Sequence, residues 1–174
     1  MKKIVIIISI IMLLYLNQNS TEEIIIPNES IRIRVIANSN NSDDQNTKRK
    51  VRSYLEEDIA PLLKNVTTKE EVSNILKENI DNFSITIEKA LTNTNYSDQY
   101  EIKYGMNYFP EKKFKGITYQ EGVYESLVVT LGEGIGDNWW CVLFPPLCLM
   151  EEDEENMEEV EYKSFIKEII DKYF

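Results

Sequence analysis

From Ile31 to Ala37 apolar and polar positions alternate, with Ile31, Ile33 and Val35 set against Arg32 and Arg34, the pattern of a strand with one buried face. It ends in Asn38-Ser39-Asn40-Asn41, and the period then changes. Ser42 with Gln45 three residues on forms a capping-box pattern, and Asp43 and Asp44 fall in the first turn, where carboxylates favour the helix dipole. Val51, Leu55, Ile59 and Leu62 continue the apolar face of that helix, which Pro61 bends or ends. Thr68 with Glu71 opens a second helix carrying Val72, Ile75, Leu76 and Ile80 at helical spacing. Phe83, Ile87 and Leu91 mark a third, although its β-branched Ile85, Thr86 and Ile87 lower the helix propensity. After the polar run from Thr92 to Asp98 the chain becomes aromatic and alternating. Tyr100, Ile102, Tyr104 and Met106 read as a strand that stops before Pro110, and Phe114, Ile117 and Tyr119 follow a charged turn. Tyr124–Leu131 is the clearest late strand. Gly132, Gly134 and Gly136 read as a flexible connection into Asn138 and a final strand, so the last three strands are expected as an antiparallel meander. Val160, Tyr162, Phe165, Ile166, Ile169, Ile170 and Tyr173 recur at three and four, an amphipathic C-terminal helix.

These elements predict a single α+β domain: two or three helices from the first half packed on a mainly antiparallel sheet of about four or five strands, plus the C-terminal helix. The chain divides into a signal sequence or short membrane anchor (1–20), a linker (21–30), the α+β domain (31–149), and an acidic segment with the last helix (150–174). In the first of these, Lys2-Lys3 precede an apolar run from Ile4 to Leu16, which is short for a membrane span of about 20 residues and fits a secretory signal.

Asn138 to Cys148 holds both tryptophans and both cysteines. In an extended Trp139–Phe144, Trp139, Cys141 and Leu143 line one face and Trp140, Val142 and Phe144 the other, so both faces are apolar. Such a strand is either buried on both sides or offers one side to a partner. Pro145-Pro146 ends it. Cys141 and Cys148 are spaced wrongly for a redox Cys-x-x-Cys. A reversal at Pro145-Pro146 could bring the sulfurs together as a disulfide; two buried thiols are the other arrangement.

Composition narrows the chemistry. Asp+Glu number 30 against Lys+Arg 19, a formal charge of −11 that argues against nucleic acid or an anionic membrane as the main partner. Eight of the acids crowd between Glu151 and Glu161. The chain has no histidine, which removes the usual general base, the commonest zinc ligand and the Ser-His-Asp arrangement together. No cofactor or metal site is expected: Gly132-x-Gly134-x-Gly136 lacks the third glycine of a dinucleotide fingerprint, with Asp137 before the next strand. The acid pairs Asp43-Asp44, Glu56-Glu57 and Glu70-Glu71 read as solvated helix surface, since neighbours in a helix do not face one another.

Two stretches resemble the stage II sporulation protein R family. One is Arg32-Ile-Arg-Val-Ile-Ala-Asn-Ser39 with Asp44-Gln45 and Lys50-Val51-Arg52; the other is Gly132-Glu-Gly-Ile-Gly-Asp-Asn-Trp-Trp-Cys-Val-Leu-Phe-Pro-Pro-Leu-Cys148. The chain carries Arg34 and Asn40 where family members commonly show histidine and aspartate. The resemblance implies a non-enzymatic signal, exported from the forespore into the space between forespore and mother cell. There it would activate a membrane-embedded aspartic protease that processes the sigma-E precursor; membrane contact would come only through an uncleaved N-terminal signal. The expected partner-binding residues are Trp139, Trp140, Phe144, Pro145 and Pro146, with Asn38 and Ser39, because aromatic anchors dominate interface energetics. If both tryptophans are core, the Asn38–Asn41 loop becomes the better surface. The rival is an exported carboxylate-dependent cell-wall hydrolase, which would need two acids from different elements converging in a pocket.

Overall fold

The computed structural model describes residues 24–147 and 158–174; the expected signal sequence and the run from Cys148 to Met157 lie outside them. The described elements run in the order β1 (Ile24–Ile25), β2 (Ile31–Ile36), α1 (Ser42–Leu63), α2 (Lys69–Glu78), α3 (Ile80–Asn93), β3 (Tyr100–Phe109), β4 (Lys112–Phe114), β5 (Ile117–Tyr119), β6 (Gly122–Leu131), β7 (Asn138–Phe144) and α4 (Glu159–Tyr173). This is the expected α+β class. The strands form a four-stranded sheet, ordered β3-β6-β2-β7, and a three-stranded one, ordered β1-β5-β4.

Helix starts follow local chemistry, with one shift. Asn41, not Ser42, caps α1: its side chain accepts from the Asp44 amide at 2.8 Å. Gln45 turns back to the Ser39 carbonyl instead of closing a box on Ser42. Thr68 caps α2 as predicted, accepting from the Glu71 amide. Pro61 lies inside α1, which ends two residues later at Leu63.

The strand order departs from the expected meander. β7 does not pair with β6; β2 lies between them, parallel to β6 and antiparallel to β7. The reason is burial. Ile31, Ile33 and Val35 face the helices, and Arg32 on the opposite side is also fully buried, so β2 is an interior strand rather than one with a wet face. Residues 24 and 25, expected within a linker, form β1 and pair with Ile117 and Thr118.

Two cores result, one on each face of the larger sheet. On the helical side, Val51, Leu55 and Ile59 of α1, Leu76 of α2 and Phe83 and Ile87 of α3 pack on Ile33, Val35, Leu127, Val129 and Leu143. On the other side, the small sheet and Tyr162, Ile166 and Ile169 of α4 cover Phe109, Tyr124, Trp140 and Val142. Along β7 the alternation predicted for Trp139 to Val142 holds, but a register shift opposite Ile31/Arg32 breaks it. Ile31 pairs with Phe144 and Arg32 with Val142, so the intervening Leu143 and the following Phe144 both join the helical-side core.

Candidate functional site

The two most distinctive stretches of sequence meet at one end of the larger sheet. β2 runs out into Asn38–Asn41 just where residues 132–137 cross from β6 to β7, and the two loops are bonded along their length. Ile135 and Gly136 donate their amides to the carbonyls of Asn38 and Ala37 at 3.2 and 3.0 Å. The Asn38 side-chain oxygen accepts from the Glu133 amide at 2.9 Å, and that of Asn40 from the Asp137 amide at 2.6 Å. Only glycine fits such an approach: a Cβ on Gly132 would stand 2.3 Å from Asn38 Oδ1, and one on Gly136 equally close to the Ser39 carbonyl oxygen. Gly132 and Gly134 also adopt φ of 54° and 64°.

Beneath the loops lies a buried polar hub. Asp44 Oδ2 accepts from Ser39 Oγ at 2.6 Å, Asn41 Nδ2 at 2.9 Å and Asn38 Nδ2 at 3.2 Å. Lys48 is buried and donates to Gln45 Oε1 at 2.6 Å and to the Asp137 carbonyl at 3.0 Å. Burial lowers its pKa, opposed by the nearby Asp137 charge. Asp98 accepts from the same Asn38 amide at 3.5 Å, and Tyr96 stands beside it with a buried hydroxyl that has no hydrogen-bond partner among the described residues. Burial, then the charges of Asp98 and Asp44, push the Tyr96 phenol up to about 12. Asp44 and Asp98 are thus acids from different elements sharing a donor, but Asp44 already accepts from three side chains. Its arrangement is that of a structural hub.

Out of this bonded base projects one large apolar side chain. Ile135 is 72% exposed and is flanked by exposed Glu133 and Asp137. With both neighbouring loops fixed by main-chain bonds, the knuckle presents Ile135 with little ordering left to lose on contact.

The residues expected at an interface divide. Asn38 and Ser39 lie in the knuckle, with their side chains turned into its bonding. Trp139, next to it on β7, is half-buried, with the Arg52 guanidinium carbon 4.4 Å from its ring centre. Arg52 in turn pairs with Glu56 at 2.9 Å, and burial raises the Glu56 carboxyl despite that partner. Trp140 is core, edge-on to Phe109 and Tyr119 at 5.5 and 5.2 Å. Phe144 and Pro145 are buried too, joined by a cis peptide, and Pro146 is half-buried. Cys141 is disulfide-bonded; the other cysteine of the chain, Cys148, lies outside the described residues. Ile135 itself escaped sequence reasoning, because a lone apolar residue among glycines carries no periodic signal. The spacing of three glycines on a strand exit was the available clue.

Elsewhere, Ser73 of α2 donates to Glu125 of β6 at 2.6 Å and accepts from Lys77 at 2.8 Å. This serine and lysine face a carboxylate, and Lys77 and Lys69 also stand 3.5 and 3.8 Å from Glu125. The arrangement ties α2 to the sheet. Among the described residues no group of three or more acids or cysteines is placed to hold a metal ion, and no helix is long and apolar enough to cross a membrane.

Residues 27–154 match the sequence model of the stage II sporulation protein R family. The chain is also 30% identical over 156 residues to a Bacillus subtilis (strain 168) protein described as stage II sporulation protein R, covering 89% of this chain and 70% of that one. No solved structure matches it.

Proposed function

Because the chain belongs to the stage II sporulation protein R family, we propose that it is an exported sporulation signal that docks through the Asn38–Asn41/Gly132–Asp137 knuckle on a membrane-embedded aspartic protease. In this reading it leaves the forespore, acts in the space between the two membranes, and switches on the protease that processes the sigma-E precursor. It is not an enzyme. One observation supports it above others: the two segments that carry the family resemblance are bonded into a single rigid surface that presents Ile135 at 72% exposure. A prebuilt surface suits a signal that must hold another protein in one state. To move a protease from 1% to 99% active, the signal has to prefer the active state by about 5.5 kcal/mol. Ile135 is the anchor, with Trp139 at its margin; Trp140 and Phe144, being core, act only through folding.

The test is reconstitution in a non-sporulating bacterium expressing the protease and its sigma-factor precursor, with this chain directed outside the membrane. Precursor cleavage should require the exported chain. Ile135→Asp should abolish cleavage while leaving secreted amount and circular dichroism unchanged. Cleavage that proceeds equally without the chain, with the protease shown active, would reject the signalling reading. Full activity of the Ile135 variant would move the docking surface elsewhere.

A further inference from the structure

Three cations, Arg32, Arg34 and Lys112, gather around Phe109 and Trp140 with no carboxylate of the described residues paired to any of them, and we propose that they form a binding site for an oxyanion, a carboxylate in chemical class, entering beside Arg34 and Lys112. The site lies on the face of the larger sheet opposite α1–α3, at the layer that the small sheet and α4 cover, and its case is independent of the signalling reading.

Arg32 and Arg34 share that face because they are two apart on β2. Arg32 has no exposed surface, and its guanidinium carbon lies 3.4 Å from the Tyr124 ring centre, 5.0 Å from that of Trp140 and 5.3 Å from that of Phe109. Arg34 lies cross-strand from Trp140 and 4.7 Å over Phe109, and it keeps part of its surface in solvent. Lys112, exposed on β4, places its ammonium 5.2 Å over the Trp140 ring. The protein holds 30 acids against 19 basic residues, so carboxylates are in excess, yet none of the ion pairs described involves these three.

A purely structural cation–π cluster accounts for the stacking of Arg32 on Tyr124. It does not account for the donors left over. Arg32 Nε and Nη2 make long hydrogen bonds to Ser30 Oγ and the Gln120 carbonyl, both at 3.4 Å, and Arg34 Nη1 reaches the Tyr108 carbonyl at 3.3 Å. Arg32 Nη1 and Arg34 Nε are buried with no acceptor among the described residues. Buried donors without acceptors are unfavourable and uncommon in a native fold. A planar guanidinium backed by a second one, with an ammonium alongside and aromatic walls, suits a carboxylate whose carbon skeleton rests on the rings. Burial lowers Arg32 to about 10 and also lowers Arg34, as expected for cations short of solvation that an anion would supply.

Trp140 makes the site self-reporting. In the full-length chain carrying Trp139→Phe, Trp140 is the sole tryptophan, and its emission can be followed during titration with sodium succinate, sodium phosphate and, at matched ionic strength, sodium chloride. Succinate should give a saturable change that chloride does not, and both Arg34→Gln and Lys112→Gln should weaken it by about tenfold or more. Lys112 is exposed, so its variant tests the site even if the Arg34 variant folds poorly. A response indistinguishable from chloride, or an affinity in both variants unchanged from that of the Trp139→Phe parent, would reduce the cluster to a structural role. Saturation by phosphate alone would overturn the carboxylate assignment.

Discussion

A Cβ placed on Gly136 would meet the main-chain oxygen of Ser39 at 2.3 Å, and that atom cannot turn aside as a side chain could. The glycine exists for the contact. Gly136→Ala should therefore force the two loops of the knuckle apart and lower stability by about 1–3 kcal/mol, as overpacking does, which urea unfolding of the purified domain would measure. Unchanged stability would mean that the knuckle is softer than its hydrogen bonds suggest. The sequence marks these glycines as a turn and a flexible connection; the structure makes them the fixed half of a surface. What is missing from the local pattern is the partner, since the Asp137 amide bonds to a side chain 97 residues earlier. Arg32 is the second residue that local pattern misreads. Alternation assigns a charged residue to the solvent face, and only the aromatic rings arriving from β3, β6 and β7 show that this face is covered. Trp140 and Trp139 were indistinguishable by sequence for a related reason: both faces of β7 are apolar, and packing alone decides which one meets solvent.

At the scale of elements, one carboxylate adds a polar tie between α2 and the sheet beside the apolar packing of Val72 and Leu76. Burial by itself would raise the Glu125 carboxyl, but the Ser73 hydroxyl, the nearby Tyr104 hydroxyl and the ammonium groups of Lys77 and Lys69 outweigh it and leave its pKa below the ordinary 4.5. A carboxyl whose folded pKa is depressed contributes stability that is present above its unfolded pKa and lost as pH falls through the folded one. Glu125→Gln should then cost about 1–2 kcal/mol at neutral pH, and the difference from wild type should shrink as pH drops below 4.5. A gap that persists unchanged into acid would assign the loss to packing instead. The helices were the legible elements, because caps and a 3.6-residue stripe are written within each segment: Thr68 and Glu71 open α2 where the pattern places it. Sheet order was not legible. The insertion of β2 between β6 and β7 depends on which strand must hide both faces, and that is decided by residues distant along the chain.

Across the whole molecule, β2, β6 and β7 serve two cores at once. Leu55 packs on one face of the larger sheet and Ile166 on the other, and each is completely buried. Helix α4 falls beyond the family match, which ends at residue 154, yet it supplies Tyr162, Ile166 and Ile169 to the second core, and the Tyr162 hydroxyl meets that of Tyr119 at 2.9 Å. If α4 and the small sheet were an accessory layer, they would open before the helical side; if the shared strands couple the layers, neither core can melt alone. Coupling is the stronger expectation, because removing the second layer would expose the apolar Trp140 and Val142 on strands that the first core needs. The two adjacent tryptophans report on it separately, Trp139 from the helical side and Trp140 from the other. In Trp139→Phe and Trp140→Phe backgrounds, Ile166→Ala and Leu55→Ala should each lower stability by about 2–5 kcal/mol. Both substitutions should move both fluorescence signals to the same new midpoint in denaturant, together with circular dichroism. A Trp140 signal that shifts with Ile166→Ala while the Trp139 signal stays in place would show two units that unfold separately, with α4 a detachable cover on the sheet.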